Sequence, residues 1–283
     1  MTARVSVSSW SLHRALGSVW LDDFSPDKQT PLNGGAAISL LQLPGMAAQH
    51  GIYTLEICHF HFPSRDQGYL VELAGEAAHA GVEIFSVLID DGDITAADPR
   101  EREVQLDWIR GWIDTAGALG AQGARVIAGE AAVPAGTQNL AAHPSIRMSA
   151  SQLQALYAYG QDKGVKVFTE NFRPLSLQAD HLVAILESCN GQITICADFG
   201  NFKGPDRYDE FAKIAPWATS GHAKAEYAAD GSIIPDDLTG GIRVLKQSGF
   251  AGPLSLIFDQ PMVSDATEWD YLDAMKRIAD VEL

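Results

Sequence analysis

Eight short runs of apolar, largely β-branched residues recur along the chain, and stretches with helical spacing separate them. The runs span 4–9, 52–58, 82–89, 124–128, 165–170, 192–198, 219–224 and 253–258, the seventh (TSGHAK) being weak by propensity. Near-continuous apolar runs, rather than strict alternation, mark strands buried on both faces. Between them, Leu106, Ile109, Ile113 and Ala116 fall on one helix face, as do Leu153, Leu156 and Tyr157, and again Leu272, Met275, Ile278 and Ala279. Glycine precedes the strand in HAGVEIF, GAQGARV, DKGVKVF, CNGQITI and SGFAGPL, where it supplies the left-handed end of a helix. Strands alternating with helices pair in parallel through right-handed crossovers. Eight of them in 283 residues predict an α/β fold closed as a (β/α)8 barrel, one domain over 1–283. An open doubly wound sheet would want a GxGxxG turn after its first strand, and SWSLHRALG stands there instead. The polar, turn-rich segment at about 17–45, which contains DDFSPDKQTPLNGGAA, reads as an enlarged first loop over the barrel mouth.

Charge and cysteine usage narrow the partners. Twenty Lys and Arg against 36 Asp and Glu leave a net charge of −16, which argues against a nucleic-acid backbone as the main partner. Three cysteines, Cys58, Cys189 and Cys196, form no CxxC and no even set, so a reducing compartment is expected. No secretory leader and no membrane-spanning run is legible, and the expectation is a cytoplasmic protein acting on a small molecule without membrane contact. Assembly into a homo-oligomer is left open.

In a barrel the chemistry sits at the C-terminal ends of the strands. There the chain places Glu56, His59 and His61 on the second strand, Glu130 after the fourth, and Glu170, Asn171 and Arg173 on the fifth. Asp198 and Asn201 follow on the sixth, His222 and Lys224 on the seventh, and Asp259 after the eighth. Such a cluster is costly when dry unless a cation sits among the acids. Glu170, Asp198 and His222 come from consecutive strands, and two carboxylates with one imidazole suit a single divalent ion: Mn2+, Mg2+, Co2+ or Zn2+. His59 and His61 could share a face and hold a second metal, or be solvated loop residues. Arg173 and Lys224 suit either an anionic substrate group or neutralisation of the acidic rim.

The runs VKVFTENF, ITICADFGNF, SGHAKAEYAADGSIIP and GFAGPLSLIF resemble the xylose-isomerase-like barrel family of sugar isomerases and epimerases, most strongly over 165–258. The resemblance implies metal ligation by Glu170, Asp198 and His222, with Glu170 also moving the proton. It implies contact of Glu56 with substrate hydroxyls, and His61, Arg173, Asn201 and Lys224 are counted with it as substrate residues. The expected activity is isomerisation or epimerisation of a small sugar or related polyhydroxy carbonyl compound through an enediolate. Three positions depart from the family: Ala225 follows the lysine where an acid is common, Phe172 follows Glu170-Asn171 where a histidine is frequent, and Ile257 replaces the eighth-strand Glu of ketose 3-epimerases. Asp259 shares the face of Ile257 but lies about 6.6 Å further on. It is the candidate for the second catalytic carboxylate. Its distance leaves two alternatives to the isomerase: a dehydratase or lyase on the same scaffold, and a non-catalytic ligand-binding barrel. Phosphodiester cleavage, known in the same barrel family, fits poorly with eight histidines and the acidic charge.

Overall fold

The computed structural model describes residues 3–17, 37–260, 262–263 and 266–283. Eight parallel strands close a barrel: β1 Arg4–Ser8, β2 Thr54–Cys58, β3 Glu83–Ile89, β4 Gly123–Val126, β5 Lys166–Glu170, β6 Ile195–Asp198, β7 Ala218–Lys224 and β8 Pro253–Ile257. Each pairs with its chain neighbour, and β8 returns to β1 with Leu254 opposite Val5 and Leu256 opposite Val7. The doubly wound alternative is thereby excluded. The expected strands are all present, several of them shorter. β4 ends at Val126 rather than 128, ahead of Gly129 at φ 125°, and β6 starts at Ile195, after Gly191 at φ 77° has turned the chain.

Helices α2 Leu43–Gln49, α3 Gln67–Ala80, α4 Pro99–Ala118, α5 Pro144–Gln161, α6 Ala179–Ser188, α7 Arg207–Ile214, α8 Pro235–Gln247 and α9 Glu268–Glu282 surround the strands, and a single turn, α1 His13–Leu16, follows β1. The faces marked by periodicity are the buried ones: Leu106, Ile109, Ile113 and Ala116 on α4, Leu153 and Leu156 on α5, and Leu272, Met275 and Ala279 on α9. The enlarged loop is shorter than 17–45 at its far end, because Leu40–Gln42 already forms a 3-10 turn and α2 begins at Leu43. Its middle, 18–36, lies outside the described residues. No helix among the described residues is long and apolar enough to cross a membrane.

Candidate active site

The barrel mouth holds a cavity of about 350 Å3. Trp10, Phe60, Leu88, Phe172 and Ile257 form its apolar wall, and Glu170, Asp198, His222, Lys224, Asp259, Arg125, Asp90 and Arg173 its polar side. A second cavity, about 500 Å3, lies at the opposite end among the strand starts, lined by Arg4, Gly123, Lys166 and Gly252. It is far from the strand ends where the acids converge.

Glu170, Asp198 and His222 close β5, β6 and β7 side by side. The β6–β7 register sets Asp198 opposite His222. Asn171 locks β5 to β6: its amide donates to the Asp198 carbonyl at 2.7 Å and accepts from the Asp198 N–H at 2.8 Å. His222 donates from Nε2 to Glu56 Oε2 at 2.9 Å, which turns Nδ1 toward Glu170 Oε1 at 3.4 Å and Asp198 Oδ2 at 3.7 Å. Burial alone would lower the His222 pKa, yet the acidic groups around it, Glu170 and Glu56 among them, outweigh burial and raise it well above the ordinary range. The three inward atoms lie within 4.8 Å of one another. Ligands at about 2.1 Å from one divalent ion are about 3.0–3.4 Å apart, and His222 Nδ1 stands at that spacing from Glu170 Oε1 and a few tenths of an ångström beyond it from Asp198 Oδ2, so the donor set suits such an ion. A carboxylate behind the imidazole is the usual support for a metal-ligating histidine.

The remaining expected site residues divide into two groups. Asn201, Lys224, Arg173 and Asp259 reach the cavity or its edge. Lys224 Nζ stands 2.9 Å from Asp198 Oδ2, 3.0 Å from Asn201 Oδ1 and 4.0 Å from Asp259 Oδ2. Arg173, at φ 73°, donates to the Asp90 carbonyl at 2.9 Å and lies 3.5 Å from Glu130 Oε1. Glu56 and His61 lie behind the wall. Glu56 is fully buried and accepts from His222 and, at 3.1 Å, from Ser86, so its position supports His222 rather than facing a hydroxyl in the cavity. His61 is buried with Nδ1 2.8 Å from Ser9 Oγ. Neither His59 nor His61 joins a metal-competent cluster among the described residues. Ile257 is 3% exposed on the cavity wall, and Asp259 lies two residues beyond it, past the end of β8, with 29% of its side chain exposed.

Arg125 escaped the sequence reading. It sits in β4 within ARVIA, 2% exposed. Its Nη1 donates to the Ile89 carbonyl at 3.1 Å, Nη2 binds Asp90 Oδ1, and Nε lies 3.0 Å from Glu170 Oε2. That last contact is an ion pair without hydrogen-bond alignment, since neither atom finds an aligned partner. Arg125 and Arg173 both stack on Phe172, with guanidinium carbons 5.6 Å and 4.9 Å from the ring centre. The signal available in the sequence was one charged residue inside an apolar strand run. The cysteines are buried and free, and burial pushes the Cys58 and Cys196 thiols up to about 12, which keeps them protonated.

Fold and site together define a (β/α)8 barrel with a carboxylate–imidazole cluster at its mouth. Residues 45–276 match the family described as xylose isomerase-like TIM barrel, and the chain belongs to that family. Among curated proteins no sequence match was found. Among solved structures the chain is similar to an L-ribulose 3-epimerase (17% identity, TM-score 0.69, covering 99% of this chain and 96% of that one). It is similar also to a D-allulose 3-epimerase from Methylomonas sp. (16%, TM-score 0.67, 100% and 98%). A third similar structure is a probable 3-DHS dehydratase from Bacillus anthracis (15%, TM-score 0.64, 99% and 98%). At these identities the likeness is one of fold.

Proposed function

We propose that the protein is an enzyme that isomerises a small polyhydroxy carbonyl compound by moving a proton at the carbon beside the carbonyl, with one divalent ion held by Glu170, Asp198 and His222. The observation that carries this reading is the convergence of Glu170 Oε1, Asp198 Oδ2 and His222 Nδ1 on one point at the cavity floor. When bound, the ion supplies Lewis-acid stabilisation of the oxygen that gains negative charge. Glu170 accepts the proton, and Arg125 holds its carboxylate in one orientation. Lys224 and Arg173 offer N–H groups to substrate oxygens from the polar side, while Trp10, Phe60 and Phe172 exclude water from the apolar side. Glu56 keeps the His222 ring oriented.

Ile257 favours a reaction that needs one base. Inversion at the third carbon of a ketose requires acid/base groups on both faces of the enediolate, and Ile257 cannot carry a proton. The same deficit favours dehydration as the second reading, since it shares the first proton abstraction.

Protein purified without chelator is expected to carry one divalent ion per chain, with Glu170→Gln and Asp198→Asn each losing most of it by elemental analysis. Unchanged metal in both variants rejects the ligand set. On a panel of aldoses, ketoses and keto acids with Mn2+, wild type is expected to isomerise or dehydrate while epimerising ketohexoses poorly, and Ile257→Glu to gain epimerisation. Efficient epimerisation by wild type that Asp259→Asn abolishes, with metal retained, would instead make Asp259 the second base.

A further inference from the structure

The oxygen that faces the proposed ion is already taken. Asp198 Oδ1 accepts from the Gly200 N–H at 2.7 Å, which leaves Oδ2 as the inward atom, and Lys224 Nζ lies 2.9 Å from it. The ammonium is held there by design of the surrounding chain. Gly200 makes room for its stem, because a methyl group on that residue would lie 2.5 Å from Lys224 Cδ. The amine carries the positive charge of an ordinary lysine at neutral pH, with Asp198 Oδ2 at 2.9 Å and Asp259 Oδ2 at 4.0 Å as its acidic neighbours. On the other side of the cluster Arg125 occupies Glu170 Oε2. Glu170 and Asp198 contribute two negative charges; Arg125, shared with Asp90, stands beside the first and Lys224 beside the second. The eighth-strand Glu of the ketose 3-epimerases that the chain resembles would add a third carboxylate where this chain has Ile257.

We propose that Lys224 is a built-in counter-cation that competes with the divalent ion for Asp198 Oδ2 and moves to Asp259 when the ion enters. The proposal rests on the reading of Glu170, Asp198 and His222 as the ion's ligands. An ion at about 2.1 Å from Asp198 Oδ2 would put two positive charges within a few ångströms of the ammonium, a repulsion that the lysine relieves only by leaving. Its destinations are in place: Asp259 Oδ2 is 4.0 Å away with its carboxylate partly exposed, and Asn201 Oδ1 is a neutral acceptor at 3.0 Å that the amine can keep during the move. The register of β7 and β8 sets Lys224 directly opposite Ile257, so the cation fills the space beside the position that lacks an acid. Asp259 thereby acquires a role that does not require it to reach the reacting carbon.

The test is Mn2+ titration of the chelator-stripped full chain, with free Mn2+ read by electron paramagnetic resonance, on wild type, Lys224→Met, Lys224→Gln, Lys224→Arg, Asp259→Asn and the Lys224→Met/Asp259→Asn double variant. Near-ultraviolet circular dichroism establishes that each is folded, and Lys224→Gln is the substitute if Lys224→Met is not. Removing the ammonium is expected to tighten Mn2+ binding roughly ten-fold or more, because a unit charge within about 4 Å is worth more than that at a protein-like dielectric. Lys224→Arg is expected to stay near wild type. Asp259→Asn is expected to weaken binding about three-fold or more in the presence of Lys224 and to have much less effect in Lys224→Met, since the lysine then has no need of a second berth. Equal or weaker Mn2+ binding in both neutral lysine variants overturns the competition, and an equal Asp259→Asn effect in both backgrounds overturns the movement to Asp259. Folded proteins that bind no Mn2+ in any form overturn the ligand assignment itself, an outcome distinct from the other two.

Discussion

Arg125 decides the charge balance of the cavity. It is enclosed, and it touches Asp90 and Glu170 at once. Burial opposes its charge, but Asp90 and Glu170 outweigh that and raise its pKa, so the guanidinium stays charged. Removing one member of a buried ionic set strands the others. Arg125→Met is therefore expected to lower stability by about 3–5 kcal/mol in urea unfolding of the chelated protein at pH 7. A loss below about 1 kcal/mol would mean that water or a rearranged neighbour replaces it. The residue also marks the limit of what could be read at this scale. Glu170, Asp198 and His222 were legible because strand ends of a barrel share one rim, and periodicity locates strand ends. Arg125 lies inside a strand, and only three dimensions show that its side chain reaches Glu170 on the neighbouring strand. Glu56 was legible as an acid at a strand end, but its partner across the barrel, His222, is 166 residues away, and no local pattern encodes that pairing.

At the scale of elements, the strand that carries the departure at Ile257 is fixed at its start. Gly252 precedes β8, and a methyl group there would lie 2.0 Å from the Thr219 carbonyl oxygen at the start of β7. Backbone cannot yield as a flexible side chain does. Gly252→Ala is expected to destabilise by about 1–3 kcal/mol. Gly75 gives the opposite result. It is an exposed interior position of α3 with nothing within 4 Å of the added carbon, and Gly75→Ala is expected to stabilise by about 0.5–1 kcal/mol. Paired thermal or urea melts check both, and a destabilised Gly75→Ala or a neutral Gly252→Ala would contradict the packing. Gly252 stands in SGFAGPL, which the sequence marks as a strand entry, whereas Gly75 carries no such mark. Their different costs were not legible, because one faces solvent and the other faces a carbonyl 33 residues away. Strand existence and order were legible for the converse reason: most of the βα units advertise themselves by local apolar period and a terminal glycine. β7, weak by propensity, is held by pairing on both sides with β6 and β8.

For the whole molecule, the acid limb of stability is set by histidines that the barrel buries neutral. Burial lowers His59 to about 4 and His61 to about 3. The His59 hydrogen bond agrees with a neutral ring, since Nδ1 accepts from the Asp90 N–H at 3.2 Å, and His61 Nδ1 pairs at 2.8 Å with the uncharged Ser9 Oγ, which accepts from the Cys58 N–H at 2.8 Å. Above the unfolded value near 6.5 both rings are neutral in both states, and they confer no pH dependence. As pH falls below 6.5 the unfolded chain takes up two protons that the folded chain refuses, so stability falls with pH until the folded values are reached. Between pH 6.5 and 5 the loss is about 1.6 kcal/mol for each histidine. His13, lowered mainly by burial, adds in the same sense. In chelated protein His222, raised well above the ordinary range, offsets only about 0.4 kcal/mol of this, because the unfolded residue is itself half protonated at 6.5 and protonated by 5. The depressed carboxyl of Asp198, at about 2, withdraws its contribution only below the unfolded range near 4. Urea unfolding of the chelated chain is thus expected to show a fall of about 3 kcal/mol between pH 6.5 and 5, and His61→Gln to remove about half of that fall whatever it does to stability at pH 7. The same fall in His61→Gln as in wild type would mean that His61 is protonated in the folded barrel, and that the wall behind the cavity carries a charge the present hydrogen bonds do not accommodate.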